Sequence, residues 1–127
     1  PLGSFKNRRS FCSVFNLSFI IENLINNGSI KSNIFNICDD ESISTNHLIR
    51  LISKSLDAKT KILKIPVFLI KFIAKIGDFT FLPLNTNRLN KLTDSYVVSN
   101  NKIKNVLGIK EMPETIEKGL LDTINSY

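Results

Sequence analysis

Arg9-Ser10-Phe11-Cys12-Ser13-Val14-Phe15-Asn16-Leu17 is the stretch on which the fold turns. Arg9 to Val14 reads as a short extended segment, and the residues after it have helical periodicity. Asn16 or Ser18 can cap that helix, because either side chain can accept a hydrogen bond from an amide that the first turn leaves unpaired. Phe19, Ile20, Leu24 and Ile25 make its buried stripe. The helix runs to about Asn26 and ends at Asn27-Gly28.

Further along, Asn33 to Cys38 is a short apolar run between polar turns and reads as a buried strand. Ser44 or Thr45 caps the next helix, in which His47, Leu48, Leu51, Ile52 and Leu56 recur at helical spacing until Asp57-Ala58. Lys61 to Ile65 alternates apolar residues with lysine, the pattern of a half-exposed strand. Pro66 suits the first turn of the following helix, which reaches Ile76 and stops at Gly77. Phe79 to Pro83 reads as an apolar loop, Thr86 to Leu92 as a helix, and Tyr96-Val97-Val98 as extended. Asn100 to Leu107 reads as a helix ended by Gly108. Pro113 opens a last helix, with Glu114 and Glu117 near its positive end and Ile116, Leu120, Leu121 and Ile124 on its buried face. The order is mixed, short strands separated by helices, with helices dominating the second half.

The 127 residues amount to about one domain. With 43% hydrophobic residues, such a chain buries roughly two-thirds of its unfolded surface. The 22% charged residues form no long like-charge block, which argues against disorder. The heavy use of Ile, Asn and Lys reads as coding bias. A net charge of +6 favours anionic partners, although the basic residues are spread along the chain. Cys12 and Cys38 sit in apolar contexts without Cys-x-x-Cys spacing, so two buried reduced thiols and a cytoplasmic setting are expected. Asn16-Leu17-Ser18 and Asn27-Gly28-Ser29 match the glycosylation pattern by chance in an Asn-rich chain. Pro1-Leu2-Gly3-Ser4 reads as the remnant of a cleavable fusion tag, which leaves residues 5–127 as the domain. The longest apolar stretch, Ile65 to Ile76, is interrupted by Lys71 and Lys75. It is too short for a membrane span of about 20 residues.

Several stretches, taken in order, resemble the second half of the extended short-chain dehydrogenase/reductases, the sugar-nucleotide epimerase/dehydratase family. Arg9-Ser10-Phe11 with Val14, Asn16 and Leu17 looks like the family's Arg-x-Phe/Tyr-x-x-Val-x-Asp-Leu. Ile34-Phe35-Asn36-Ile37 looks like its Val/Ile-Phe/Tyr-Asn-Ile/Leu-Gly strand, and Lys64-Ile65-Pro66 like the Pro-Val-Pro that starts a helix in one subgroup. Asn101-Lys102-Ile103 with Leu107-Gly108 looks like Ser-Lys-Ala/Ile-x-x-x-Leu-Gly-Trp. Thr115-Ile116-Glu117 with Gly119-Leu120 looks like the closing Leu-Glu-Glu-Gly-Leu. The likeness covers Lys6 to Tyr127 and points to UDP-glucose 4-epimerase-like and UDP-N-acetylhexosamine-modifying enzymes of surface-polysaccharide synthesis. Ser13, Asn16, Cys38 and Ile109 stand where the family has His, Asp, Gly and Trp.

The resemblance implies an α/β fold, the helix-rich C-terminal portion of a Rossmann-type extended short-chain dehydrogenase/reductase with a few short strands. It implies a UDP-sugar as ligand, with Arg9 on its diphosphate. A planar guanidinium suits that role because it gives two parallel charge-assisted bonds to phosphate oxygens. Arg88 lies near the family's second diphosphate-binding arginine, with Lys91 as its competitor. NAD is implied for the intact enzyme but not for this chain. The glycines at 3, 28, 77, 108 and 119 make no dinucleotide loop, and Tyr96 is followed four residues later by Asn100 rather than Lys. The expected partner is therefore an N-terminal dinucleotide-binding half, and this chain alone is expected to be inactive. The resemblance places Ile34–Cys38 at a sheet edge that this chain leaves unpaired, from which self-association is expected.

Other residues carry less. His47 has no second histidine or spaced ligands for a metal, and neither cysteine has a neighbouring base for catalysis. Lys64, Lys71 and Lys75 fall on one helical face, at spacings of seven and four, opposite Phe68, Leu69, Phe72, Ile73 and Ile76 on an amphipathic helix. Such a helix can lie on an acidic membrane surface but more often buries its apolar face in its own protein. A small basic module for nucleic acid or an acidic surface is the alternative reading of the whole chain. Nine Phe, two Tyr and no Trp, mostly at core-like positions, weaken any base-stacking surface and argue against specific nucleic-acid binding.

Overall fold

The computed structural model describes residues 3–28, 30, 33–59, 62–80 and 83–126. Among them the chain forms β1 (Arg9–Ser10), α1 (Val14–Asn26), β2 (Ser42–Ile43), α2 (Thr45–Ser55), α3 (Val67–Gly77), α4 (Thr86–Thr93), α5 (Asn101–Leu107) and α6 (Ile116–Asn125). This is a helix-rich α/β arrangement with two short strands. No helix among the described residues is long and apolar enough to cross a membrane.

β1 lies between two partners. On one side it pairs antiparallel with β2, Arg9 opposite Ile43 and Ser10 opposite Ser42. On the other it bridges in parallel to Tyr96, with Ser10 N donating to Tyr96 O and Tyr96 N to Arg8 O, both at 2.9 Å. The helices surround this ribbon as three small apolar clusters. One joins Ile20, Ile103 and Met112, a second Ile43, Leu51 and Ile116, and a third Ile70, Ala74 and Leu89.

Buried carboxamides hold the connecting segments against these clusters. Asn16 is fully buried. Its Nδ2 donates to Asp39 Oδ1 at 2.7 Å and to Glu114 O at 2.8 Å, and its Oδ1 accepts from Glu114 N at 3.0 Å. The cap of α1 is therefore Ser13, whose Oγ accepts from Asn16 N at 3.1 Å, rather than Asn16 or Ser18. The position needs an amide, because a carboxylate could not donate to Asp39. Asn7 likewise donates to Thr45 Oγ1 at 2.8 Å and Leu92 O at 3.2 Å, and accepts from Thr45 N at 3.2 Å. Asn100 donates to Cys38 O at 2.9 Å and Asp40 Oδ1 at 2.7 Å.

Several expectations change. Residues 33–38 form no strand, because no second strand lies beside them among the described residues. Phe35 and Ile37 lean on the first cluster while Ile34 is 86% exposed, and Lys102 Nζ donates to Ile34 O at 2.9 Å. Lys61 lies outside the described residues, and Leu63 O accepts from Gly3 N at 2.9 Å in an isolated backbone pairing. The last helix starts at Ile116, capped by Thr115, because Glu114 N is drawn to Asn16 instead. Ile25 and Leu56 face solvent, and so does Cys12; both cysteines are free. Phe15, Phe68, Phe72 and Phe79 are also exposed, so the phenylalanines are less central than their sequence positions suggest.

The largest departure is α3. Ile70, Ala74 and Gly77 make its buried side, while Phe68, Leu69, Phe72, Ile73 and Ile76 point outward. The small residues allow close contact with the segment before α4. A Cβ on Gly77 would sit 1.8 Å from the Leu84 carbonyl oxygen. Gly77→Ala is expected to destabilise the chain by about 2 kcal/mol, the cost of forcing backbone apart, despite the better helix propensity of Ala. An unchanged urea midpoint would contradict this packing.

Asn16→Ala leaves the Asp39 carboxylate and the Glu114 N–H and C=O without that partner, so a loss of about 3 kcal/mol is expected in urea unfolding. A loss below ~1 kcal/mol would mean that water takes over the site. Asp40 gives a pH dependence. Burial pushes its carboxyl up, but bonds from Lys104 Nζ (2.6 Å), Met112 N (2.7 Å) and Asn100 Nδ2 outweigh this and hold it below the usual carboxylate range. The unfolded chain then takes up the proton first on acidification. The contribution is complete above the unfolded value of about 4 and is lost as pH falls through the lower folded value. Asp40→Asn should flatten this part of the urea-midpoint profile against pH; an unaltered acid limb would remove Asp40 as its source.

Candidate functional site

The β1 ribbon brings the strongest sequence candidate, Arg9, onto Tyr96 and α4. Three segments set its position. The backbone of Arg8 to Ser10 is fixed by the 95–98 segment, since Arg8 N also donates to Ser95 Oγ at 3.0 Å and Val98 N to Ser10 Oγ at 3.2 Å. The guanidinium then lies over the Tyr96 ring, 5.5 Å from its centre, in a cation–π contact. One terminal nitrogen, Nη2, donates to Lys91 O at 2.5 Å in the last turn of α4. That carbonyl belongs to the negative end of the helix, where a cation is favoured.

This leaves the Arg9 group incompletely satisfied. Its Nε is buried and has no hydrogen-bond partner, and no carboxylate lies within ion-pair distance of it among the described residues. A guanidinium has five donors. With Nη2 on a neutral carbonyl and Nε closed to solvent, an anionic oxygen has to be met by the terminal nitrogens of the group. Neighbouring Arg8 is anchored in a different direction, donating through its own Nη2 to Ser42 O at 2.7 Å.

Arg88 is placed differently. It is exposed, and its Nη1 donates to Pro83 O at 2.7 Å, ahead of the first turn of α4. The two arginines are thus anchored at opposite ends of one helix, Arg9 at its last turn and Arg88 before its first. Lys91 meets Arg9 through its carbonyl rather than its ammonium group. Tyr96, which carries the Arg9 guanidinium, was missed as a site residue in the sequence. Its signal there was only an extended Tyr-Val-Val segment, and its pairing with β1 spans most of the chain.

The remaining chemistry-bearing residues are structural. His47 Nε2 lies 3.0 Å from Glu117 Oε1, linking α2 to α6. No group of three or more His, Cys, Asp and Glu that could hold a metal occurs among the described residues. Partial desolvation at the exposed Cys12, with the nearby Asp39 charge, raises its thiol, and burial raises that of Cys38, so neither is activated as a thiolate.

The chain is 27% identical over 128 aligned residues, 100% of its length, to the UDP-glucose 4-epimerase of Vibrio cholerae. It spans 37% of that protein. This is a distant relationship to an epimerase. No protein-family model matches the chain, and no solved structure does.

Proposed function

We propose that this chain supplies the UDP-sugar-binding side of an NAD-dependent sugar-nucleotide epimerase or dehydratase, of the UDP-glucose or UDP-N-acetylhexosamine 4-epimerase kind. The observation that carries the reading is Arg9. It is a guanidinium with no acidic partner among the described residues, on an aromatic platform, at the position where the family resemblance expects the diphosphate contact. Similarity to an epimerase along the whole chain supports the same class.

In this reading the diphosphate oxygens of the UDP-sugar meet the terminal nitrogens of Arg9. Tyr96 holds the guanidinium plane, and the Lys91 carbonyl sets its rotation. Arg88 is the second cation, once its side chain leaves the Pro83 carbonyl. The sugar then extends toward a dinucleotide-binding half outside these 127 residues. Hydride chemistry on bound NAD belongs to that half. The glycines here are used otherwise: Gly77 lies against Leu84, Gly119 against Ser13, and Gly108 ends α5 with φ 69°. They build no pyrophosphate seat, and no NAD step is assigned to this chain. Surface-polysaccharide synthesis in the cytoplasm is the setting this proposal implies.

Calorimetric titration with UDP and UDP-glucose tests the reading. Both should bind and uridine should not, because the diphosphate is the part recognised. Arg9→Ala should weaken UDP roughly ten- to hundredfold, the worth of charge-assisted bonds to phosphate. Arg88→Ala and Lys91→Ala, compared side by side, identify the second contact by the larger loss. Equal affinity of the parent chain and Arg9→Ala would remove Arg9 from the site.

A further inference from the structure

The outer side of α3 joins two features that the UDP-sugar reading does not use. Phe68, Phe72 and Ile76 follow one another at helical spacing, with Leu69 and Ile73 beside them, and all five are exposed. Phe79, just past the helix, extends the stripe and is 87% exposed. Along one edge, Lys71 and Lys75 lie one turn apart and open into a groove of about 450 Å³ between α3 and α4, which Thr86 and Asn90 also line.

The charge along this stripe is net positive. α3 contains no Asp or Glu, and neither lysine belongs to an ion pair among the described residues. Asp78 is the carboxylate of the groove, near Lys75. Its oxygens accept from Thr86 N at 2.8 Å and Thr86 Oγ1 at 2.5 Å, so it is held against the start of α4.

We propose that this face of α3 docks on a bilayer surface containing anionic phospholipid. Phe68 and Phe72 enter the acyl boundary, while Lys71 and Lys75 meet headgroup phosphates along the groove. An apolar stripe with a lysine edge is the pattern of a helix lying in the interface plane. Eleven residues are too few to span a bilayer, so the helix lies on the surface. Charge selects this occupant over a second copy of the chain. A copy would bring its own Lys71 and Lys75 and, in the same groove, an Asp78 already held by Thr86, whereas an anionic leaflet supplies counter-charge directly. The docking surface stands independently of the nucleotide site at Arg9.

Flotation with lipid vesicles tests the proposal on the full chain. It should float with phosphatidylcholine vesicles containing about one-third phosphatidylglycerol, and far less with pure phosphatidylcholine. The paired substitution Phe68→Ser and Phe72→Ser should abolish flotation while leaving the circular dichroism spectrum unchanged, because both side chains are solvent-facing. Lys71→Gln with Lys75→Gln should weaken binding roughly thirtyfold, and added salt should weaken the parent chain. Failure to float with anionic vesicles overturns the proposal, as does flotation indifferent to both pairs of substitutions. A dimer in light scattering that Phe68→Ser and Phe72→Ser dissociate, without vesicle binding, would assign this face to a second copy instead.

Discussion

The fully buried carboxamide of Asn16 is the constraint on which the rest of this structure depends. It makes three hydrogen bonds from inside the first turn of α1, and they reach two segments far away in sequence, Asp39 and Glu114. Those bonds end α1's approach to the β ribbon, hold the turn that precedes β2, and draw the chain toward the start of α6. An amide is suited to this because it donates and accepts at once. Each bond adds only about 1 kcal/mol net, but leaving any of these buried partners unpaired costs more than the bond contributes. The geometry is therefore specified more strongly than it is stabilised.

Asn7 and Asn100 repeat the device. Asn7 fastens the entry to β1 onto α2 and the end of α4, and Asn100 fastens the entry to α5 onto Cys38 and Asp40. Between them the apolar clusters are small, each with three buried residues at its centre. Polar pins of this kind let small cores share one chain without a large sheet, at the cost of leaving much apolar surface outside. α1 shows Val14, Phe15 and Ile21, and α3 shows its phenylalanine stripe. The lysines beside α3 make its outer face a different surface from that of α1, whose sequence has Glu22 as its one charged residue.

The helices were legible in the sequence because their periodicity is local. α1 ends at Asn26, α2 is capped by Ser44, and α5 is closed by Gly108, as their spacing and turn residues predict. What failed was everything that depends on a neighbour. Ile34–Cys38 has the composition of a buried strand, but a strand is defined by its partner, and here the Lys102 side chain rather than a second strand meets Ile34 O. Asparagine usage that looked like coding bias includes the three carboxamides that hold the fold. The apolar residues of α3 mark an amphipathic helix correctly, but sequence does not say which side meets the protein. Ala74 and Gly77 decide that, because only a small-residue face can approach the Leu84 carbonyl closely.

For the site the division is similar. Family resemblance singled out Arg9 in the sequence, and guanidinium chemistry explains why such a residue suits a diphosphate. Tertiary structure decided its state. Pairing of β1 with residue 96 sets Tyr96 beneath it, and the last turn of α4 supplies the Lys91 carbonyl, while no carboxylate among the described residues arrives to neutralise it. The sequence by itself determined the presence and most of the limits of the helices and the residue types on hand, because these follow largely from short-range periodicity. The start of α6 and the cap of α1 followed the long-range bonds of Asn16 instead. The tertiary structure decided which arginine is left unsatisfied and which apolar face is left open. Both depend on contacts between residues far apart in the chain, and local pattern carries no information about them.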